Sequence, residues 1–543
     1  MQRSILTNLG LSLVPVLALA GEVPKKIIHF GWEYQGASPA QILANADKFT
    51  GSEIAGVGIY LKAKGPDGTV YNDRNVMHAK AWPHDAFDEH LPALRKLSQT
   101  DHLKESFIHG FRAPYTRLAW TDDAAWARVA NNVGVLADLA KRAGIKGMCC
   151  DPEDYSKITQ FVRHEGDPAY EDLLKLARQR GREVFGAVFR AHPEIRVLFY
   201  WFLTIEPDYF NSGDPAGMAR ARQDLWPAFA DGILDVLPPT AVIIDGDEHA
   251  YRADYANRDF HASAAHQRQQ APRLLSPENR VKHATQVQVS FGLYLDAFVK
   301  PKGNYWYIGP VNGSRSEHFR RDLKDAYRLA DEYVWLWGER NVFAHWQEMP
   351  LNKRITGQDK TWEDVLPGFG AALSSVRDAD GGLRRRWEEM KKAGDLVDVN
   401  SNGTCEINRG HPLPNPYRTW LPADDKTATF SVRDGALCMS GAKHGAIFID
   451  LNDVKFGDAY AVSCRAKGKD PRCYVGWLAN GSWRGGETWL TLGEPDADGW
   501  RPAETLLMVP SGADTLRFAM GGAPQDSLDE SVMFDDIHVV RLW

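Results

Sequence analysis

Cysteine is scarce: there are six in 543 residues, Cys149 and Cys150 adjacent, and Cys405, Cys438, Cys464 and Cys473 confined to the C-terminal part. Their spacing matches no zinc site, and the absence of C-x-x-C excludes a redox dithiol of that type. The four late cysteines allow three disulfide pairings, with buried free thiols as the other reading. Excess positive charge is also missing. A formal net charge of −7 argues against nucleic acid or another polyanion as the main partner. No glycine-rich phosphate loop follows the first apolar run at Phe30-Gly31-Trp32, which disfavours an open dinucleotide-binding sheet. There is no serine nucleophile elbow. Metal-dependent barrel hydrolases usually show H-x-H after the first strand, and here only His29-Phe30-Gly31 stands there. His249 near Asp245, and His345 near Glu348, are the remaining ligand candidates. The expectation is no catalytic metal and no cofactor, although acidic loops are compatible with a structural Ca2+ that spacing does not reveal. Beyond the first twenty residues no apolar run is long enough to span a bilayer.

What is present begins at the N-terminus. Gln2-Arg3 supplies a positive start, residues 5–17 are mostly apolar, and Ala18-Leu19-Ala20 precedes Gly21 in an A-x-A pattern. Pro15 and the shortness of the run favour a cleaved signal peptide, residues 1–20, over a membrane anchor. That reading makes the mature protein secreted or periplasmic. Aromatics are plentiful, with 18 Trp and 18 Tyr. Flat aromatic faces stack on the apolar faces of pyranose rings, although large cores also consume them.

From residue 21 to about 395, short β-rich runs alternate with amphipathic segments. The strand candidates are Lys26–Trp32, Ala55–Leu61, Ser106–Phe111, Ile145–Cys150, Val197–Leu203, Ala241–Asp245, Val287–Tyr294 and Tyr333–Trp337. Between them, Trp126, Val129, Val133, Leu136 and Leu139 recur at helical spacing, with Gly144 as a helix stop and Gly181 as further punctuation. Eight strand–helix units predict an α/β fold, a (β/α)8 TIM barrel over 21–395. From 396 to 543 the texture changes. An Asn-, Gly- and Pro-rich stretch from Asp398 to Pro416 leads into short alternating runs without helical periodicity, which predicts an all-β jelly-roll or β-sandwich domain.

A barrel presents its chemistry at the C-terminal ends of its strands. Those ends read Trp32-Glu33-Tyr34, Arg112-Ala113-Pro114-Tyr115, Asp151-Pro152-Glu153-Asp154-Tyr155, Glu206, Asp245-Gly246-Asp247-Glu248 and Trp335-Leu336-Trp337-Gly338-Glu339. Carboxylates interleaved with aromatics suit glycosidic cleavage, which needs one protonated and one ionised acid. Crowding and desolvation separate the pKa values of neighbouring acids. The candidate catalytic residues are Asp151, Glu153, Asp245, Glu248 and Glu339. Trp32, Glu33, Arg112, Tyr155, Tyr251, Trp335 and Trp337 are candidates for binding substrate. Asp154 and Asp247 are better explained as caps of the following elements.

The run Gly147-Met148-Cys149-Cys150-Asp151-Pro152-Glu153 resembles the fourth-strand D-x-x-D-x-D-x-E pattern of chitinase-like barrels. Asp151 and Glu153 align with it, whereas Lys146 and Cys149 stand where that pattern has acids. The substrate-assisted mechanism of those enzymes therefore does not carry over intact. The whole first part resembles glycoside hydrolases of barrel architecture, in which acids on strands four and six are often paired for α-linked sugars. The runs Phe534-Asp535-Asp536-Ile537-His538-Val539-Val540 and Gly457-Asp458-Ala459-Tyr460-Ala461-Val462-Ser463 resemble strands of galactose-binding-like jelly-roll carbohydrate-binding modules. The resemblances imply an exported glycosidase with a glycan partner, the alternatives being a noncatalytic glycan-binding barrel or a metal-dependent hydrolase.

Overall fold

A computed structural model describes every residue outside 1–24, 78–79, 205–206, 348–353, 395, 397, 400–412, 424 and 426–427. The expected signal-peptide segment, Glu206, Glu348 and Cys405 lie outside the described residues.

The first half is built on a curled sheet of nine parallel strands. They are β1 (Lys26–Gly31), β2 (Ile54–Ile59), β3 (Phe107–Arg112), β4 (Gly147–Asp151), β5 (Arg196–Phe199), β6 (Val242–Asp245), β7 (Val287–Val289), β8 (Gly292–Tyr294) and β9 (Tyr333–Gly338). Their spatial order is β8-β9-β1-β2-β3-β4-β5-β6-β7. The two ends of this order, β7 and β8, are consecutive in the chain, with Ser290 and Phe291 between them. Strands such as Lys-Ile-Ile-His-Phe-Gly in β1 are buried on both faces, which explains why they read as continuous apolar runs rather than alternating ones.

Each expected strand has a counterpart, and two differ instructively. The run Val197–Leu203 stops pairing at Phe199 because the Asp245 carboxylate takes the backbone N–H groups of Phe202 and Leu203, at 2.8 and 2.9 Å. The run Val287–Tyr294 is split. Its Ser290 N–H goes to the Asp245 carbonyl at 3.1 Å, while the Phe291 carbonyl accepts from Trp335 N at 3.0 Å.

Helices cover the sheet. In α1 (Asp123–Ala143) the Asp122 side chain accepts from Ala125 N at 2.9 Å, and Gly144 closes the helix at φ +73°. The helical stripe Trp126, Val129, Val133, Leu136 and Leu139 is fully buried. Gly181 does not punctuate. It lies inside α2 (Tyr170–Ala191), where a Cβ would come within 2.1 Å of the Phe229 carbonyl oxygen in α3 (Trp226–Asp235). Glycine here sets how closely two helices approach. Further helices, α4 (Arg315–Leu329) and α5 (Ala379–Ala393), lead toward the second part. Among the described residues no helix is long and apolar enough to cross a membrane.

From Arg418 onward, among the described residues, all regular structure is antiparallel β. One six-stranded sheet includes Ala446–Asn452, Thr515–Gly522 and Pro471–Ala479, and the other includes Ala436–Ser440, Ser531–Arg541 and Ala459–Gly468. Their inner faces share a core containing Leu437, Ile447, Val462, Val475, Phe518 and Phe534. Cys438, Cys464 and Cys473 are buried free thiols, with the sulfurs of Cys464 and Cys473 3.5 Å apart. The two parts share a joint. Leu383, Trp387 and Met390 of α5 pack with Ala459, Val540, Leu542 and Trp543, and Arg321 of α4 pairs with Asp458 at 2.6 Å.

Gly181→Ala should lower stability by about 1–3 kcal/mol, the usual cost of overpacking, because neither helix backbone can yield without losing contacts. Chemical denaturation of both proteins measures this, and an unchanged midpoint would contradict the close helix approach.

Candidate functional site

A cavity of about 660 Å³ opens at the C-terminal ends of the strands, where Arg112 ends β3, Asp151 ends β4 and Glu339 follows β9. Four of the five expected carboxylates line it: Asp151, Glu153, Glu248 and Glu339. So do Trp32, Arg112, Tyr155, Tyr251 and Trp337 from the expected binding set.

Each acid is held differently. Asp151 Oδ1 accepts the Glu153 N–H at 3.2 Å, and Arg112 Nε stands 3.9 Å from Oδ2. Glu153 accepts a short hydrogen bond from the Tyr155 hydroxyl. Glu248 begins a 3-10 turn (Glu248–Arg252) whose first N–H donates to the Tyr200 carbonyl at 2.9 Å. Glu339 is fixed at both oxygens, accepting from Tyr294 Oη at 2.8 Å and Trp337 Nε1 at 3.2 Å. Its own N–H donates to Asp296 Oδ2 at 2.8 Å, and Lys300 Nζ donates to the Tyr294 hydroxyl at 2.9 Å.

Electrostatics differentiate these groups. Burial pushes the Glu248 carboxyl well above the ordinary range, and the neighbouring Glu153, Asp151 and Glu339 push it further. Glu153 is raised by burial, with the Tyr155 hydrogen bond working against the rise. Burial also raises Asp151, but the Arg112 guanidinium opposes it and favours the ionised form. The site thus holds a carboxyl biased toward its proton beside one with a cationic neighbour.

The cavity contains polar groups that sequence reasoning missed. Among the described residues, Asp73 Oδ1, His109 Nε2, Tyr200 Oη and Trp201 Nε1 are buried atoms without a hydrogen-bond partner, and all four residues line the cavity. Burial lifts Asp73 to about 7 although Leu61 N donates to its other oxygen at 2.7 Å. His109 is held neutral by burial and by Arg74 and Arg112. The signal for His109 was a polar residue inside the apolar run Ser106–Phe111. Asp73, in a loop after β2, gave none.

Three residues expected at the site, Asp245, Glu33 and Trp335, do not line the cavity. Asp245 is 1 % exposed. Its carboxylate also accepts from the Thr204 hydroxyl at 2.8 Å, so it fastens the loop after β5 rather than facing the cavity. Glu33 is buried beneath the rim, where it accepts from Phe343 N at 3.1 Å and Trp346 Nε1 at 2.7 Å. Trp335 is fully buried, stacked on Tyr200 at 4.6 Å between centroids, with Nε1 donating to the Gly246 carbonyl at 2.7 Å. It supports the cavity from below, whereas Trp32 and Trp337 are half-buried in the cavity wall. Asp154 organises its loop, accepting from Ser156 N at 2.9 Å and Gln160 N at 2.5 Å. Asp247, also buried, accepts from the Ser263 hydroxyl.

No protein-family model matches the chain, and no curated protein matches it. Among solved structures, the chain is similar to the enzymatically active domain of tailspike protein 4 of bacteriophage CBA120. That match has 12% identity, 27% coverage of this chain, 21% of that one and a TM-score of 0.22. A second is a structure titled "CBM4 structure and function", with 21% identity, 26% coverage of this chain, 99% of that one and a TM-score of 0.21. A third contains the CBM22-1 and GH10 modules of a Clostridium thermocellum endo-1,4-beta-D-xylanase with xylohexaose. It has 15% identity, 27% coverage of each chain and a TM-score of 0.18. The alignment spans about a fifth of the tailspike domain. At such scores the chemistry of the site stands on its own geometry.

Burial raises Glu33 from 4.5 to about 8. The folded chain therefore binds more protons than the unfolded one between these values, and stability falls as pH rises through that window. The melting temperature of Glu33→Gln, compared with wild type from pH 4.5 to 8.5, should fall less steeply. Parallel curves would contradict the cost assigned to ionising Glu33.

Proposed function

We propose that the protein is a glycoside hydrolase, with its reaction centre in the carboxylate cavity. The observation carrying this reading is the convergence on one cavity of four acids, aromatic walls and buried, unpartnered polar atoms. A sugar is both apolar on its ring faces and polar at its edge, so it answers Trp32 and Trp337 with one surface and Asp73, His109 and Tyr200 with the other.

The reading includes a closed (β/α)8 barrel. It is supported by the continuity of β7 and β8, since a single run of the chain pairs with β6 at one end and β9 at the other. In such a barrel the strand ends that carry Asp151 and Glu339 form one rim.

Glu248 is the proton donor to the leaving glycosidic oxygen, because burial and like-charged neighbours keep its carboxyl protonated. Asp151, with Arg112 at its side, is the ionised partner. It acts as nucleophile or as the base that activates water, and the anomer first released distinguishes the two. Glu153 and Tyr155 share a hydrogen bond and close the same side of the cavity. This pairing joins strands four and six, with Glu248 in place of Asp245.

The β-sandwich is proposed to bind glycan at a second surface. Trp483 and Trp489 are exposed beside Tyr474, at 6.3 and 4.8 Å between centroids. Gly476 allows Trp483 to lie flat on its sheet, since a Cβ there would meet the indole at 2.0 Å. The segment at residues 1–20 supports export of the mature protein.

Wild type should turn over members of a panel of aryl glycosides and natural glycans. Asp151→Asn and Glu248→Gln should each reduce kcat about 10²–10⁴-fold while binding persists. Binding without turnover by wild type would contradict the enzymatic reading. Removing a negative neighbour makes Glu248 easier to ionise, so Glu339→Gln should shift the alkaline limb of the pH–rate profile to lower pH. An upward shift would remove Glu248 as the acid.

A further inference from the structure

A second group of titratable side chains lies away from the cavity, where α4 faces the short turn Tyr255–Asn257. His318 and Asp322 are one turn apart on α4 and point to the same side. Asp254 caps the opposing turn, its Oδ1 accepting from Ala256 N at 2.8 Å. His318 is 5 % exposed and Asp322 1 %.

The hydrogen bonds around His318 define its proton. Its Nδ1 lies 2.7 Å from the Gly309 carbonyl oxygen, and a carbonyl only accepts, so Nδ1 carries hydrogen. In the neutral ring Nε2 then presents a lone pair. That atom faces Asp254 Oδ1 at 3.4 Å and Asp322 Oδ2 at 3.5 Å, and the three ligand atoms all lie within 4.8 Å of one another. Among the described residues, neither His318 Nε2 nor Asp322 Oδ2 has a hydrogen-bond partner. Asp322 uses its other oxygen, accepting from Tyr255 N at 2.9 Å.

Three electron-pair donors converging in a buried space repel one another unless positive charge lies between them. Nearby side chains do not supply it. Asp259 and Asp325 add negative charge. Arg321 is committed to Glu317 at 2.6 Å and to Asp458 of the sandwich at 2.6 Å. A proton on Nε2 or on a carboxyl oxygen is a poor fit to separations of 3.4 and 3.5 Å, because charge-assisted N–H···O and O–H···O bonds run at about 2.5–2.9 Å. A tetrahedral cation with ligand bonds of about 2.0–2.1 Å separates its ligands by about 3.3–3.4 Å, close to both observed distances.

We infer that Asp254, His318 and Asp322 form a binding site for one divalent transition cation of the Zn2+ type, with water completing the coordination. Imidazole beside two carboxylates favours such an ion over Ca2+, which takes oxygen ligands. The site has no route to the glycosidic chemistry and does not depend on it. It pins the Asp254 turn to α4, the helix whose Arg320 donates to Gly457 O at 2.9 Å and whose Arg321 holds Asp458. The cation would therefore brace the joint between the two parts of the chain.

The test uses the untagged full chain, stripped with chelator and titrated with ZnCl2 and, separately, CaCl2 by calorimetry, with melting temperature followed in parallel. The expected result is one Zn2+ per chain, a higher melting temperature with Zn2+, and no comparable effect of Ca2+. Asp254→Asn, whose side chain is 35 % exposed, should fold and bind Zn2+ at least tenfold more weakly, and His318→Gln should abolish uptake. If His318→Gln does not fold, Asp254→Asn alone decides. Absence of stoichiometric uptake by wild type, a preference for Ca2+, or unchanged Zn2+ affinity in Asp254→Asn would overturn the assignment.

Discussion

Mutual repulsion among desolvated carboxylates is the constraint around which the cavity is arranged. Asp151, Glu153, Glu248 and Glu339 each raise the cost of ionising a neighbour, and the protein answers with local, unequal compensation. Arg112 stands beside Asp151, the Tyr155 hydroxyl beside Glu153, and the Tyr294 hydroxyl and Trp337 indole beside Glu339. Glu248 is left with the least help and is the group driven furthest toward its protonated form. Unequal pKa values in one small volume are what acid–base chemistry requires.

The layer beneath keeps that arrangement from relaxing. Asp245 gives its hydrogen-bonding capacity to the backbone of residues 202 and 203 and to Thr204, thereby fixing the loop that carries Trp201. Trp335 stacks under Tyr200 and ties the strand-six turn at Gly246. Glu33 joins the first strand end to Phe343 and Trp346. These residues position the cavity without facing it, so their loss would act on stability and alignment together.

Much of this scaffold was legible because buried parallel strands leave apolar runs that survive in sequence, and α1 shows its stripe, cap and terminal glycine directly. The acids at strand ends were legible for the same reason. Which of them face the cavity was not. Asp151 and Asp245 both end apolar strands, and only the loop conformation at residues 202–204 turns Asp245 into a structural acceptor. Trp335 and Trp337 alternate in one strand, yet Phe30, Tyr200 and Tyr251, all distant in sequence, pack around Trp335 and bury it, whereas Trp337 stays half-buried at the wall. Asp73 carries no local pattern, because its role depends on a loop folding back over β2. Gly181 reads as punctuation in the sequence, whereas its place is set by contact with a helix almost fifty residues later.

The polar floor and acidic rim of one cavity are proposed to be complementary to a sugar. The most direct measurement is a crystal structure of Glu248→Gln soaked with a glycan that the protein is found to bind. A sugar ring is expected against Trp337, with hydroxyls bonded to Asp73, His109 and Tyr200 and its anomeric carbon beside Asp151. A glycan seated only on the Trp483–Trp489 face of the sandwich, leaving the cavity to solvent, would contradict it.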